Sequence, residues 1–127
     1  MVILDGKSLS GKIKLDLKKE VDKIKSKGDR VPHLIAILIG ENAASHTYVN
    51  AKKKACDEIG FQSTVIKFPK TISQIDLLEK INQINEDETV DGLIVQLPLP
   101  VHINSLVVTR SISHKKDVDG FHPINLG

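Results

Sequence analysis

The stretch HLIAILIG, residues 33–40, is a continuous apolar run that is too short for a typical helix. Such a run fits a strand that is buried on both faces, as in a parallel sheet covered by helices on either side. A second run, DGLIVQLPLP at residues 91–100, contains two prolines, Pro98 and Pro100, which cannot donate to a sheet ladder and so end the strand. Two buried strands of this kind favour an α/β fold.

Helical patterns separate these strands along the chain. In residues 10–27 the apolar positions recur at helical spacing, and Gly28 follows as a helix stop. Because strands and helices alternate, we expect right-handed crossovers and a three-layer α/β/α domain with a mainly parallel sheet. The other predicted elements are a strand at 1–6, a helix at 43–59, a strand at 61–68, a helix at 73–85 capped by Ser73, a helix at 103–112 and a loop from 113 onward.

The composition is that of a globular domain with a modest, nearly balanced charge. Eighteen basic residues against sixteen acidic ones give a net charge of +2, which does not indicate a nucleic-acid partner. One cysteine, Cys56, rules out an internal disulfide and fits a reducing compartment. No apolar run is long enough to cross a membrane, and residues 1–12 lack the apolar centre of a signal peptide. We therefore expect a cytoplasmic protein with no membrane and no nucleic-acid partner.

The helix predicted at 43–59 contains three consecutive lysines, Lys52, Lys53 and Lys54. At about 100° per residue, Lys52 falls on the apolar side of this helix together with Tyr48, one turn earlier. Lys53 and Lys54 fall outside that side and are expected to face solvent. The apolar stripe itself consists of Val49, Ala55, Cys56 and Ile59.

An inward lysine has two explanations. Its stem can lie along the core while its ammonium stays in water. Alternatively, Lys52 lies in a pocket, where desolvation disfavours the charged form and the amine can take part in proton transfer. Tyr48 would then be placed to stack against a flat ligand. The helical pattern alone leaves both explanations open.

Polar residues also stand where the strands are expected to end. Ligands of parallel α/β sheets bind beyond the carboxyl ends of strands, and Gln96 directly follows the apolar run GLIV. Its side chain either lines such a site or simply faces solvent. Asp117 and Asp119 follow later, in KKDVDGFHP. An aspartate there caps backbone amides or accepts from a ligand with adjacent N–H donors, such as an aminopyrimidine ring.

Other kinds of site have no support in the sequence. The five histidines show no zinc spacing, and the two aspartates have no third ligand nearby, so no metal site is predicted. There is no phosphate loop and no G-x-G-x-x-G motif.

Three stretches taken together resemble one known family. They are ASHTYVNAKKKACDEIGF (44–61), DGLIVQLPLP (91–100) and KDVDGFHPINLG (116–127). They are similar to the Tyr-x-x-x-Lys, Val-Gln-Leu-Pro and Lys-Asp-Val-Asp-Gly segments of the bifunctional methylenetetrahydrofolate dehydrogenase/cyclohydrolase family. The resemblance implies that residues 1–127 are its N-terminal, folate-binding catalytic domain. A Rossmann-like NADP-binding domain would follow and is absent from these residues.

The resemblance also implies roles for individual residues. Tyr48 would pack against the p-aminobenzoyl ring of the folate, Lys52 would be the catalytic lysine, Gln96 would contact and tune it, and Asp119 would hold the pterin ring. These four are the catalytic candidates. The implied substrate-binding set contains the same four residues and Val49, Asn50, Ala51, Val95, Leu97 and Pro98.

The family oxidises methylenetetrahydrofolate with NADP, or less often NAD. It then hydrolyses the methenyl product to formyltetrahydrofolate in the same cleft, and it is typically homodimeric. No NADP-binding residue is expected within the 127 residues. One departure is Ala43, which stands in ENAASH where the family often has proline, and which we expect to loosen the loop before the helix.

Two readings from other classes compete with the enzyme. VDGLIVQ also resembles a strand of sugar-binding periplasmic and repressor domains, which would make the chain a non-catalytic small-ligand-binding module. That reading leaves Lys52 and KDVDGFHP unexplained. A regulatory fragment is the third reading, and it needs a partner that the sequence does not indicate.

Overall fold

The computed structural model of the protein describes residues 11–118, with the backbone alone for residues 11–14. The strand predicted at 1–6, Asp119 and the chain after it lie outside the described residues. Within this range the helices and strands alternate, as predicted. They are α1 (Gly11–Ser26), β1 (His33–Ile39), α2 (Ala43–Ile59), β2 (Gln62–Phe68), α3 (Gln74–Glu86), β3 (Gly92–Val95) and α4 (Ser105–Ser111).

In the described part of the chain, the sheet has three strands in the order β2-β1-β3, and both pairings are parallel. The central strand β1 is buried on both faces. Ile35, Ile37 and Ile39 pack into the core cluster that contains side chains of α3 and α4. Leu34 points to the opposite face and packs with Cys56 of α2. The three-layer α/β/α architecture with a parallel sheet is therefore confirmed.

The strand β3 is shorter than the apolar run suggested. It ends at Val95, although the backbone N–H of Gln96 still donates to the carbonyl of Ile37 at 3.0 Å. The peptide bond between Leu97 and Pro98 is cis. Since Pro98 has no N–H to offer a neighbouring strand, the chain leaves the sheet before the end of the predicted segment.

Residues 113–118 form a loop, as predicted, with one regular contact. Asp117 makes an isolated parallel bridge to Leu93, and the N–H of Leu93 donates to the carbonyl of Lys116 at 2.7 Å. The side chain of Asp117 is buried. The segment that leads to Asp119 is therefore attached to the sheet beside β3.

The turn before α2 is built from Gly40 and Asn42. Gly40 has a left-handed backbone with a φ of 81°, which favours glycine. Asn42 is the N-cap, and its side-chain oxygen accepts from the N–H of Ser45 at 3.0 Å. Ala43 is the first residue of α2, so the residue that departs from the family pattern lies in the capped first turn.

Arg30 and Asp91 form an ion pair at the amino ends of β1 and β3. The guanidinium donates to both carboxylate oxygens, at 2.7 and 3.2 Å, and Oδ2 of Asp91 also accepts from the N–H of His33 at 2.8 Å. The hydrogen bond from Arg30 is the main cause that lowers the pKa of the Asp91 carboxyl below its ordinary value. This ion pair connects the amino ends of the adjacent strands β1 and β3.

The pKa of Asp91 is lower in the folded state than in the unfolded chain, where it is about 4. The ionised carboxylate therefore stabilises the fold at pH values above the pKa of Asp91 in the unfolded chain. That contribution is lost as the pH falls through the pKa of the folded state. Both side chains are 41–48% exposed, so we expect Asp91→Asn to reduce the free energy of unfolding by only about 0.5 kcal/mol at pH 7. Urea unfolding of both proteins should show this difference vanishing in acid. Asp29→Asn is the control, and a pH-independent difference would contradict the assignment.

Gly92 at the start of β3 has no room for a side chain. A Cβ at this position would overlap the side chains of Val118 and Leu34. We expect Gly92→Ala to destabilise the protein by about 1–3 kcal/mol through overpacking, measured as a lower urea midpoint. Gly28→Ala adds a Cβ with no heavy atom within 4 Å, although its φ of 76° strains the backbone. A larger loss for Gly28→Ala than for Gly92→Ala would contradict the role of close packing.

Candidate functional site

Lys52 and Gln96, predicted from separate motifs, meet in the structure. Lys52 projects from the third turn of α2, and its Nζ donates to Oε1 of Gln96 at 3.3 Å, although the residues are 44 positions apart. Gln96 stands immediately after β3, at the carboxyl end of the sheet. Both residues are half-buried. The arrangement places an amine at the edge of the sheet where α/β proteins bind ligands.

The carbonyl of Leu97 orients the glutamine. Nε2 of Gln96 donates to this oxygen at 3.2 Å, which leaves Oε1 turned toward Lys52. The hydroxyl of Ser45, in the first turn of α2, donates to the same oxygen, also at 3.2 Å. Helix α2 and the chain that follows β3 are therefore joined at two points, through Lys52 and through Ser45.

Ser45 is the site residue that sequence reasoning missed. It is buried, and it lies on the side of α2 that carries the apolar stripe. A small polar residue on a buried helix face was the available signal, because a buried hydroxyl needs a hydrogen-bond partner. The partner, a backbone carbonyl 52 residues away, is not visible in the sequence.

The predicted apolar stripe of α2 is confirmed. All four of its members are buried, namely Val49, Ala55, Cys56 and Ile59. Burial raises the pKa of the Cys56 thiol to about 11, so this group is an un-ionised core residue near neutral pH.

Two placements on the same helix were wrong. Tyr48 is 53% exposed, although on the helical wheel it falls between Ala55 and Ile59, which are both buried further along α2. Lys53 is not a solvent-facing residue like Lys54. It is half-buried, and its Nζ donates to Oγ of Ser63 in β2 at 2.9 Å.

The remaining predicted substrate-binding residues divide by exposure. Val49 and Val95 are buried, Val95 in the core cluster with α3 and α4, whereas Asn50 and Ala51 are exposed on α2. Leu97 is half-buried and Pro98 is exposed, so the rim after β3 offers apolar surface to a ligand. Asp119 lies outside the described residues.

Residues 11–118 contain neither a candidate metal cluster nor a helix able to span a membrane. In this range, His, Cys, Asp and Glu side chains form no group of three or more that could hold a metal ion. The helices described there are all too short or too polar to span a bilayer.

Comparisons with known proteins agree on one family. Residues 4–119 match the family described as tetrahydrofolate dehydrogenase/cyclohydrolase, catalytic domain. Over all 127 residues the chain is 56% identical to the bifunctional protein FolD of Cytophaga hutchinsonii and covers 44% of that protein. It is 54% identical to the bifunctional protein FolD of a Sulfurihydrogenibium species and covers 45% of it. The chain therefore spans less than half the length of these relatives.

Solved structures show the same likeness. The bifunctional enzyme FolD from Campylobacter jejuni, a methylenetetrahydrofolate dehydrogenase/cyclohydrolase, superposes with a TM-score of 0.89 at 52% identity, covering 98% of this chain and 44% of that one. The corresponding enzyme from Trypanosoma brucei, solved in complex with NADP cofactor and inhibitor, gives a TM-score of 0.85 at 33% identity. That match covers 90% of this chain and 39% of the other.

Removing the Ser45 hydroxyl tests the attachment of α2 to the rim. We expect Ser45→Ala to lower the free energy of unfolding by about 1 kcal/mol, the usual effect of losing one buried hydrogen bond. Thr47→Ala is the matched control, because the Thr47 hydroxyl is exposed and bonds only the carbonyl of Ala43 in its own helix. Urea unfolding measures both. Equal losses at the two positions would contradict a special role for the Ser45–Leu97 contact.

Proposed function

The chain belongs to the tetrahydrofolate dehydrogenase/cyclohydrolase family, and from this premise we propose that it forms the folate-binding catalytic domain of a bifunctional one-carbon enzyme. The proposed enzyme oxidises methylenetetrahydrofolate with NADP and hydrolyses methenyltetrahydrofolate to formyltetrahydrofolate. The observation that carries the proposal is the hydrogen bond of 3.3 Å between Lys52 and Gln96. It joins two motifs of the family into one local arrangement at the expected edge of the sheet.

The hydrolytic step suits this pair of residues. Water adds to the cationic methenyl carbon, a proton leaves that water, and a proton reaches the nitrogen whose bond to the carbon breaks. An amine held beside the reacting carbon can accept or deliver such a proton. Gln96 orients the amine through Oε1 without placing a second charge next to the cationic substrate. We propose that Nζ of Lys52 transfers the proton and that Gln96 orients this amine.

The flat parts of the folate would be bound by neighbouring groups. Tyr48 presents an exposed ring one turn before Lys52, and such a ring can stack on the p-aminobenzoyl group. The apolar rim at Leu97 and Pro98 would contact the same part of the ligand. Asp119 would accept from the aminopyrimidine edge of the pterin, which a carboxylate matches with two parallel hydrogen bonds.

The described residues do not fit the NADP that the proposed oxidation requires. A dinucleotide site of the common type uses several glycines in one turn before a helix. The described glycines are isolated instead: Gly11 begins α1, Gly28, Gly40 and Gly60 lie in separate turns, and Gly92 lies in a strand. We derive no step through NADP from these residues and propose that another part of the enzyme binds it.

Cellular location and assembly complete the proposal. The free thiol of Cys56 suits the reducing cytoplasm, and we propose that the enzyme acts there as a homodimer, without a nucleic-acid or membrane partner. A non-catalytic sugar-binding module was the alternative from sequence. The family match supports the enzyme instead, and a simple binding module has no need of a lysine held by a glutamine.

Lys52→Met in the full-length protein tests the proposed function. Because a positioned acid–base group contributes about 10²–10⁴-fold, we expect methenyltetrahydrofolate hydrolysis to fall by at least about 10²-fold. Loss of absorbance of the methenyl compound follows the reaction, and circular dichroism checks the fold. Lys54→Met is the control, since Lys54 is exposed on the same helix. Full hydrolytic activity in Lys52→Met would contradict the proposal.

A further inference from the structure

Two neighbouring lysines attach α2 to opposite edges of the described sheet. The strand order is β2-β1-β3, so β1 is central. Lys52 reaches Gln96, directly after β3, and Lys53 reaches Ser63 in β2. On the helical wheel, the buried side chains of Val49 and Cys56 lie between these two attachments.

The attachment on the β2 side is a closed cluster of three residues, Lys53, Asp57 and Ser63. Nζ of Lys53 donates to Oγ of Ser63 at 2.9 Å, and this hydroxyl donates to Oδ1 of Asp57 at 2.9 Å. Nζ of Lys53 also lies 3.5 Å from Oδ2 of Asp57, one turn further along α2. Each member contacts the other two, and Ser63 alone belongs to the sheet.

This cluster contributes little to global stability. The Lys53 and Asp57 side chains are 43% and 55% exposed, and exposed ion pairs at this spacing contribute little. An ion pair within α2 would also not involve β2. What Ser63 adds is a fixed point outside the helix, so the cluster restrains the rotation of α2 about its own axis.

Rotation of α2 affects Lys52 directly. Successive residues on a helix are locked about 100° apart, so a roll that separates Lys53 from Ser63 also moves Lys52 past Gln96. At the outer radius of a helix, about 6 Å from its axis, a roll of about 10° displaces an atom by about 1 Å. Displacements of that size can cost up to about 10²-fold in rate when the group takes part in the chemistry.

We propose that Lys53 is a positioning residue, which, through Ser63 and Asp57, fixes the rotation of α2 so that the amine of Lys52 stays against Gln96. This inference rests on the proposed function of Lys52. It concerns a residue next to the catalytic candidate that itself faces away from the site, toward β2. The hydrogen bond between Lys53 and Ser63 holds α2 over β2. It thereby keeps the amine of Lys52 against Gln96, next to β3.

The test is a set of variants in the full-length enzyme, with kcat and KM for hydrolysis of methenyltetrahydrofolate measured beside the thermal unfolding midpoint. We expect Lys53→Met and Ser63→Ala each to lower kcat by about threefold to tenfold through misplacement of the amine, with little change in KM or in the midpoint. Lys53→Arg should retain most of kcat, because a guanidinium can donate to both Ser63 and Asp57. A purely structural role would instead lower the midpoint and leave kcat unchanged.

Ser63→Ala separates geometry from charge, since it removes the link to β2 and leaves both charges in place. Lys54→Met is the matched control and should leave kcat unchanged. A wild-type kcat in both Lys53→Met and Ser63→Ala, or an equal fall in Lys54→Met, would overturn the inference. Lys52→Met, measured alongside, distinguishes failure of the positioning role from failure of the proposed function. If Lys52→Met is inactive while the Lys53 and Ser63 variants are normal, only the positioning role fails. If Lys52→Met is fully active, the proposed function itself fails.

Discussion

Burial of β1 on both faces is the constraint on which the rest of the structure depends. A strand of this kind must be covered on two sides, so α2 has to lie against one face while α3 and α4 cover the other. Once α2 packs on the sheet through Cys56, the direction of every other side chain on that helix is set by the helical repeat. The place of Lys52 near the end of β3 follows from this packing.

The electrostatic character of the site follows from its contacts. The partner of Lys52 in the described contact is an amide, which orients the amine while remaining neutral. The carboxylate of Asp57, on the same helix, is held by Lys53 and Ser63 on the side of β2. In these contacts the amine of Lys52 meets a neutral group, whereas the adjacent lysine forms an ion pair.

Much of the fold could be predicted from the sequence because its signals are local. The apolar runs, the helical spacing and the cap at Ser73 each report on neighbouring residues, and the elements from α1 to α4 follow. Boundaries were less accurate where tertiary contacts decide. In the segment 91–100, the strand ends at Val95, and Leu97 and Pro98 form a rim beyond the sheet.

The site was predictable in its residue types and only partly in its geometry. The wheel of α2 identified the buried stripe and singled out Lys52. It did not foresee that Lys53 would turn to a hydroxyl ten residues ahead, or that Ser45 would bond a carbonyl across the domain. Those partners come from other elements, and only the folded sheet brings them near. The exposure of Tyr48 likewise depends on which part of the length of α2 is covered, because Ala55 and Ile59, at neighbouring positions on the wheel, are buried further along the helix.

The carbonyl of Leu97 has a consequence for ligand recognition. A carbonyl oxygen has two lone pairs, and here one accepts from Ser45 and the other from Gln96. Its acceptor capacity is used up inside the protein, so this backbone oxygen has nothing left to offer an N–H of a bound molecule. The side chains that this part of the rim presents, Leu97 and Pro98, are hydrocarbon. These side chains favour selection by shape and apolar contact, and the Leu97 oxygen adds no hydrogen bond to that selection.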